Sequence, residues 1–222
     1  DITTKAVTFI GLTGDNKEYD GTTAATVSGT ALLSGVVGAD DVSLSGTPVF
    51  TFGSADVGTG IAITTTGYTL SGTDTRNYTL TQPGLLGDIN PLIVVVEADA
   101  QTKVYGSADP SLTYRVTSGS LIGSDAFSGS LTRISGETVG TYEIIQGSLG
   151  LNSNYNLSYT SKDLTISKAT ITITADDQTK VYGTADPAFM VRYSGFVNGE
   201  SEIDLGGTLN ISRTTGESVG SY

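Results

Sequence analysis

The chain has 222 residues, with 11 Lys and Arg against 23 Asp and Glu, a net charge of −12, and neither cysteine nor histidine. Without thiols or imidazoles it has no disulfides, thiolate metal sites, Ser-His-Asp triads, His-bound zinc or imidazole general bases. The acidity disfavours nucleic acid and anionic membrane surfaces as partners, and no apolar run approaches the ~20 residues that span a bilayer.

Along the chain, the first distinctive segment is Lys17-Glu18-Tyr19-Asp20-Gly21. Gly38-Ala39-Asp40-Asp41-Val42 and Arg76-Asn77-Tyr78-Thr79-Leu80 follow it. Leu92-Ile93-Val94-Val95-Val96 is β-branched and reads as a strand. Next comes Gln101-Thr102-Lys103-Val104-Tyr105-Gly106-Ser107-Ala108-Asp109-Pro110. Residues 112–117, 129–134, 141–146, 155–160 and 163–167 read as further strands, with 120–126 as a single helical turn. Thr170-Ile171-Thr172-Ile173-Thr174 alternates with period two, as a half-buried strand does. Gln178-Thr179-Lys180-Val181-Tyr182-Gly183-Thr184-Ala185-Asp186-Pro187 then restates the earlier segment 77 residues on. No stretch sustains a helical period.

The repetition sets the domain organisation. Asn77-Tyr78-Thr79-Leu80 and Asn154-Tyr155-Asn156-Leu157 are also 77 residues apart. The Gly-Glu segments at Gly136 and Gly216 are separated by 80. Units therefore run over 1–91, 92–168 and 169–222, and the third has no counterpart of residues 143–168. The chain reads as a piece of a longer protein. Its third unit is expected to be partly disordered or completed by another chain, because unpaired sheet edges recruit strands. Strand signals punctuated by Gly, Ser, Asn and Asp at short intervals indicate an all-β fold of tandem small β-sandwich, Ig-like units. The joints at 89–93 and 166–171 are too short and β-rich for flexible linkers, so a stack of units end to end as a rod is expected.

These residues carry a family resemblance. Lys17-Glu18-Tyr19-Asp20-Gly21, with the segments around Asp40 and Asn77, resembles a YDG-type repeat. Lys103-Val104-Tyr105-Gly106 with Asp109-Pro110, and Lys180-Val181-Tyr182-Gly183 with Asp186-Pro187, resemble MBG repeats of the YGX type. Similar arrays occur in large bacterial surface adhesins, including filamentous-haemagglutinin-like exoproteins. The resemblance implies a secreted or cell-surface stalk that supports adhesion or biofilm, and it supplies no catalytic residue. The alternative is a glycan- or host-protein-binding module.

Individual residues take structural readings. Tyr19, Tyr105 and Tyr182 are expected in each unit's core with hydroxyls on backbone partners, and the preceding lysines along the surface. Asp99, Asp109, Asp176 and Asp186 occupy equivalent places and are the candidates for a structural calcium ion; turn chemistry is the competing reading. Lys103 and Asn154, with Asp109 or Glu137, form the one recurring set for an intramolecular isopeptide bond. That bond needs a carboxyl of raised pKa, and the first unit has no acid at the matching places. No cofactor is implied. Glycan or host-protein contacts are assigned to other parts of the parent chain, and the third unit is a point of self-association.

Overall fold

The computed structural model describes residues 1–222 and divides the chain into two compact units. Unit one holds Asp1–Glu97, Tyr114–Ser130 and Gln146–Thr160, and unit two holds Ala98–Thr113, Leu131–Ile145 and Ser161–Tyr222. The strands in order are β1 (Lys5–Gly14), β2 (Lys17–Glu18), β3 (Val27–Ser34), β4 (Ser43–Phe52), β5 (Gly58–Ser71), β6 (Tyr78–Thr81), β7 (Leu85–Asn90) and β8 (Leu92–Ala98). They continue as β9 (Gln101–Val104), β10 (Tyr114–Ser118), β11 (Thr132–Arg133), β12 (Gly140–Ile145), β13 (Tyr155–Thr160), β14 (Lys162–Ser167), β15 (Thr172–Ala175) and β16 (Val191–Ser194). The protein is all-β, and its two helical pieces are single 3-10 turns at Thr75–Asn77 and Glu202–Asp204.

In unit one, the first repeat is a two-sheet sandwich. One sheet runs β3-β1-β6 and the other β2-β7-β5-β4, with β1 packed on β7. Alternation builds the interface between them. Val7 and Phe9 of β1, Phe52 of β4, Ile63 of β5, and Leu85 and Ile89 of β7 point inward, because successive strand residues face opposite sides. Phe9 adds a tilted ring contact to Tyr68, with ring centroids 4.6 Å apart. Only Pro91 separates β7 from β8, which opens the second repeat's sheet β10-β8-β13 in the same unit. There β8 and β13 pair in parallel from Leu92↔Tyr155 to Glu97↔Thr160, and Val94 and Val96 are buried.

Unit two contains the sheet β11-β12-β14-β9, whose inward residues include Ile144, Leu164 and Ile166. Strand β9 pairs in parallel with β14, setting Lys103 opposite Ile166. The third repeat contributes the hairpin-like pair β15-β16, and no residue from Ser167 to Tyr222 is buried. Its interior side is an open cavity of about 800 Å³ lined by Phe189, Met190 and Ile211 together with charged groups.

Two sequence readings need correction, and one strand goes unread. Residues 120–126 are not helical; a β-turn centres on Gly123 and Ser124, because Gly123 sits at φ 58°, which starts a tight turn. Gln101–Val104 is a strand despite its polar sequence, since its pairing comes from β14 far along the chain. Expected strand 129–134 shrinks to Thr132–Arg133.

Candidate functional site

Each repeat presents one four-residue turn ending in an acid, the third differing in that its third residue, Gly199, also has a positive φ of 79°. Val37-Gly38-Ala39-Asp40, Ile122-Gly123-Ser124-Asp125 and Val197-Asn198-Gly199-Glu200 all close with the fourth N–H donating to the first carbonyl, at 3.2, 3.0 and 2.9 Å. Their second residues share a left-handed backbone, at φ 54° for Gly38, 58° for Gly123 and 54° for Asn198. Asn is the side-chain-bearing residue that best tolerates this region. A tyrosine from the same repeat clamps the first two turns. The Tyr78 hydroxyl accepts from the Val37 N–H at 3.0 Å and donates to Asp40 Oδ2 at 2.7 Å. Tyr155 does the same with Ile122 N–H at 2.8 Å and Asp125 Oδ2 at 2.7 Å. Tyr78 and Tyr155 are the aromatic residues of the matched Asn-Tyr segments, and both are buried.

The acids of the second and third turns also meet the preceding repeat. Within unit one, the Tyr19 hydroxyl donates to Asp125 Oδ2 at 3.0 Å, and its ring meets that of Tyr155 edge-on with centroids 5.5 Å apart. Asp125 thus accepts from two phenols, and Asn152 adds a third donor at 3.1 Å. Beside it, Asn154 accepts from the Val57 N–H and donates to Asp56 Oδ1, both at 2.9 Å. A Cβ on Gly21 would stand 2.7 Å from Cγ2 of Ile122, so glycine is required for this approach as well as for its φ of 74°. Hydrogen bonding to a carboxylate favours the neutral phenol. Tyr19 is therefore raised above the usual tyrosine range first by Asp125 and then by burial, and Tyr155 first by burial.

Unit two builds the same joint with the next pair. The Tyr105 hydroxyl donates to Glu200 Oε1 at 2.8 Å, and a Cβ on Gly106 would stand 2.6 Å from that of Val197. Tyr19 and Tyr105 are thus placed as the sequence expects, near a core, but their hydroxyls reach a carboxylate of the following repeat and not the backbone. Tyr182 departs further, being 74 % exposed. Sequence reading missed Asp125 and Glu200 as acceptors. The available signal was an apolar residue, a turn former and an acid three positions on, recurring once per repeat.

A second constellation holds each YGX motif to its own repeat. Lys103 Nζ pairs with Asp109 Oδ1 at 2.6 Å and with Glu137, while Arg133 reaches Asp109 through Nε at 2.6 Å and Nη2 at 3.0 Å. Arg133 also contacts Glu137, donates to the Ile134 and Gly136 carbonyls at 2.9 and 2.7 Å, and lies over the Tyr142 ring. Arg133 first and Lys103 second hold the Asp109 carboxyl at about 2, and Glu137 is lowered by the same two cations, Lys103 first. Asp109 and Glu137 in turn raise Lys103. The third repeat copies the network: Lys180 and Arg213 pair with Asp186 and Glu217, and Arg213 lies over Tyr222. In the first repeat Lys17 pairs with Asp20 at 2.7 Å, so the Asp of the Tyr-Asp-Gly motif supplies the acid that the YGX repeats take from later positions.

Several expectations change here. Lys103 is buried, not laid along the surface, because two acids neutralise it. The candidate calcium ligands are spent elsewhere. Asp109 and Asp186 serve Arg and Lys pairs, Asp176 accepts from Arg192 Nε, and Asp99 accepts from the Thr113 hydroxyl at 2.8 Å. No group of three or more carboxylates gathers in metal-binding array. For the isopeptide set, Lys103 Nζ is engaged by Asp109 and Glu137, whose carboxyls are lowered where that chemistry needs a raised one. Asn154, its other partner, is held by Asp56 and Val57.

Gly136 fixes the geometry of the arginine clamp. At φ 152° its Cβ would fall 2.0 Å from Cε1 of the Tyr142 ring. Gly136→Ala should displace that ring from Arg133 and cost about 1–2 kcal/mol, read by thermal unfolding with near-ultraviolet tyrosine dichroism.

The repeat anatomy agrees with the comparison to known families. The MBG domain of the YGX type matches residues 94–165 and 171–222. The chain belongs to the MBG (YGX type) domain family. A YDG domain matches residues 3–84, so the MBG domains follow a YDG domain in tandem. No curated protein and no solved structure matches the chain. In the first MBG domain Tyr105-Gly106 is a joint residue pair, and in both domains the Lys before the Tyr-Gly belongs to the ion cluster.

Proposed function

We propose that these YDG and MBG domains are spacer repeats of a bacterial cell-surface or secreted adhesin. In this reading they hold a distant binding region away from its anchorage and support adhesion or biofilm formation. They do no catalysis and need no cofactor, and glycan or host-protein contacts fall to other parts of the parent protein. The observation that carries the reading is the duplicated joint. Tyr19 with Asp125 and Tyr105 with Glu200 spend equivalent side chains on tying one repeat to the next. A chain selected for ligand contacts would place distinct exposed groups in single copy, whereas one selected for repetition reuses its contacts. Acidity and abundant polar residues suit an exposed life.

The test is a display experiment. The chain is placed in one, two and three copies between a surface anchor and a fluorescent tag, and tag height is measured by interference microscopy. A constant gain in height per copy is expected. Height that stays flat overturns the spacer reading. Saturable binding of the purified chain on glycan or matrix-protein arrays replaces it with a binding module.

A further inference from the structure

Each of the first two repeats lays its leaving strands beside its entering strands, pointing the same way. In the first, β1 pairs in parallel with β6 from Lys5↔Tyr78 to Thr8↔Thr81, and β2 pairs in parallel with β7 at Lys17↔Ile89 and Glu18↔Asn90. Partners are 73 positions apart in the first patch and 72 in the second, so the two segments keep company through the change of sheet. The second repeat does this without slippage. Leu92↔Tyr155 in β8–β13 and Gln101↔Leu164 in β9–β14 are both 63 positions apart, with one patch in each unit. The Leu92 N–H donates to the Asn154 carbonyl at 3.0 Å, which starts the slanted ladder of a parallel pair. Side chains of these same strands fill the cores: Phe9, Ile89, Val94, Val96, Leu164 and Ile166 are all at most 1 % exposed.

We infer that these repeats bear tension, through a parallel seam that a pull along the chain loads in shear. Tension enters a repeat at the N-terminal end of its first strand and leaves at the C-terminal end of its last. Because entering and leaving strands run parallel, those two points lie at opposite ends of the seam. The pull slides one segment along the other, and the ladder bonds of a patch must stretch together before any breaks. A pull that separates matching ends opens the same seam one bond at a time. Sliding also drags Phe9, Val94, Val96 and Leu164 out of fitted positions in a close-packed interior. Rupture under force follows the rate of unfolding and not the equilibrium stability, so the two directions differ in strength at one melting temperature. Only Pro91 separates β7 from β8, so tension leaving the first seam reaches the second with little slack. The inference goes beyond the spacer reading, which concerns reach alone, and such a seam would bear load in a chain doing other work.

The test is to stretch the full chain in optical tweezers, with DNA handles on introduced thiols, since the chain has no cysteine of its own. For the first repeat, Thr3→Cys with Asn90→Cys loads the seam in shear, and Thr3→Cys with Asn77→Cys unzips it. For the second, Asn90→Cys with Lys168→Cys shears, and Asn90→Cys with Ser153→Cys unzips. All five positions are exposed, so every double variant should keep the parent melting temperature. The two repeats carry separate pairs, so a variant that fails to fold in one leaves the other to decide. The length released, up to ~3.5 Å per residue between the attachment points, identifies the repeat that has opened. At one loading rate, shear is expected to need about twice the unzipping force or more. Equal rupture forces in the two directions, in either repeat, overturn the inference. Failure of the spacer reading looks different: height stays flat with copy number while rupture still depends on direction.

Discussion

Asp125→Ala should lower the melting temperature by roughly 5–10 °C, the largest loss of any single change at the joint. One carboxylate there accepts from Tyr19, Tyr155 and Asn152, and both phenols are buried. Truncation leaves their hydroxyls short of an acceptor, and an unsatisfied buried donor costs more than the bond itself contributes. Asp40→Ala is the control within the same unit. It deprives Tyr78 but no second tyrosine, so its effect should be about half. The pH response gives a second readout. Asp125 and burial hold the Tyr19 phenol neutral above its usual range. Its contribution is therefore complete below pH ~10 and is lost as pH rises through the higher folded value. Ultraviolet titration of Asp125→Ala should show at least one tyrosine returning toward ordinary ionisation. Equal losses in Asp125→Ala and Asp40→Ala would show that Tyr19 draws nothing from the contact.

What the sequence revealed depends on how local its cause is. Tyr155–Thr160 was legible to the residue, because alternation and turn formers on both sides act within a few positions. Gln101–Val104 was not, because four largely polar residues become a strand only through a parallel partner some 60 positions later. Lys103 is a similar case. Lysine is rarely buried unless paired, and its partners lie 6 and 34 residues away. The repeat offset placed Tyr19, Tyr105 and Tyr182 in register, but periodicity states that positions are equivalent and not what they touch. Tyr19 finds its acceptor 106 residues away in the next repeat.

Arg133→Ala should cost more than any other change in the ion cluster, roughly 10 °C in melting temperature. Its guanidinium is only 9 % exposed, and it joins Asp109, Glu137, two carbonyls and the Tyr142 ring. Exposure of Asp109 and Glu137, at 40 and 67 %, means that solvent screens the ion pairs, so the carbonyl bonds and the ring contact carry much of the loss. Arg133→Lys should recover little, because an ammonium cannot span two acids and two carbonyls at once. Arg213→Ala removes the same contacts where no neighbouring residue is buried, and a smaller loss is expected there. Acid should act through the same groups. Asp109 and Asp186 are held at about 2 in the folded chain against an ordinary 3.8, and Glu137 and Glu217 are also lowered. Depressed carboxylates contribute stability that is present above their unfolded values and lost as pH falls through the folded ones. Melting temperature should therefore hold steady from pH 7 to about 5 and fall between about 4 and 2, with a shallower fall in Arg133→Ala. An acid limb of unchanged steepness in that variant would remove the arginine clamp from the stability of the MBG domain.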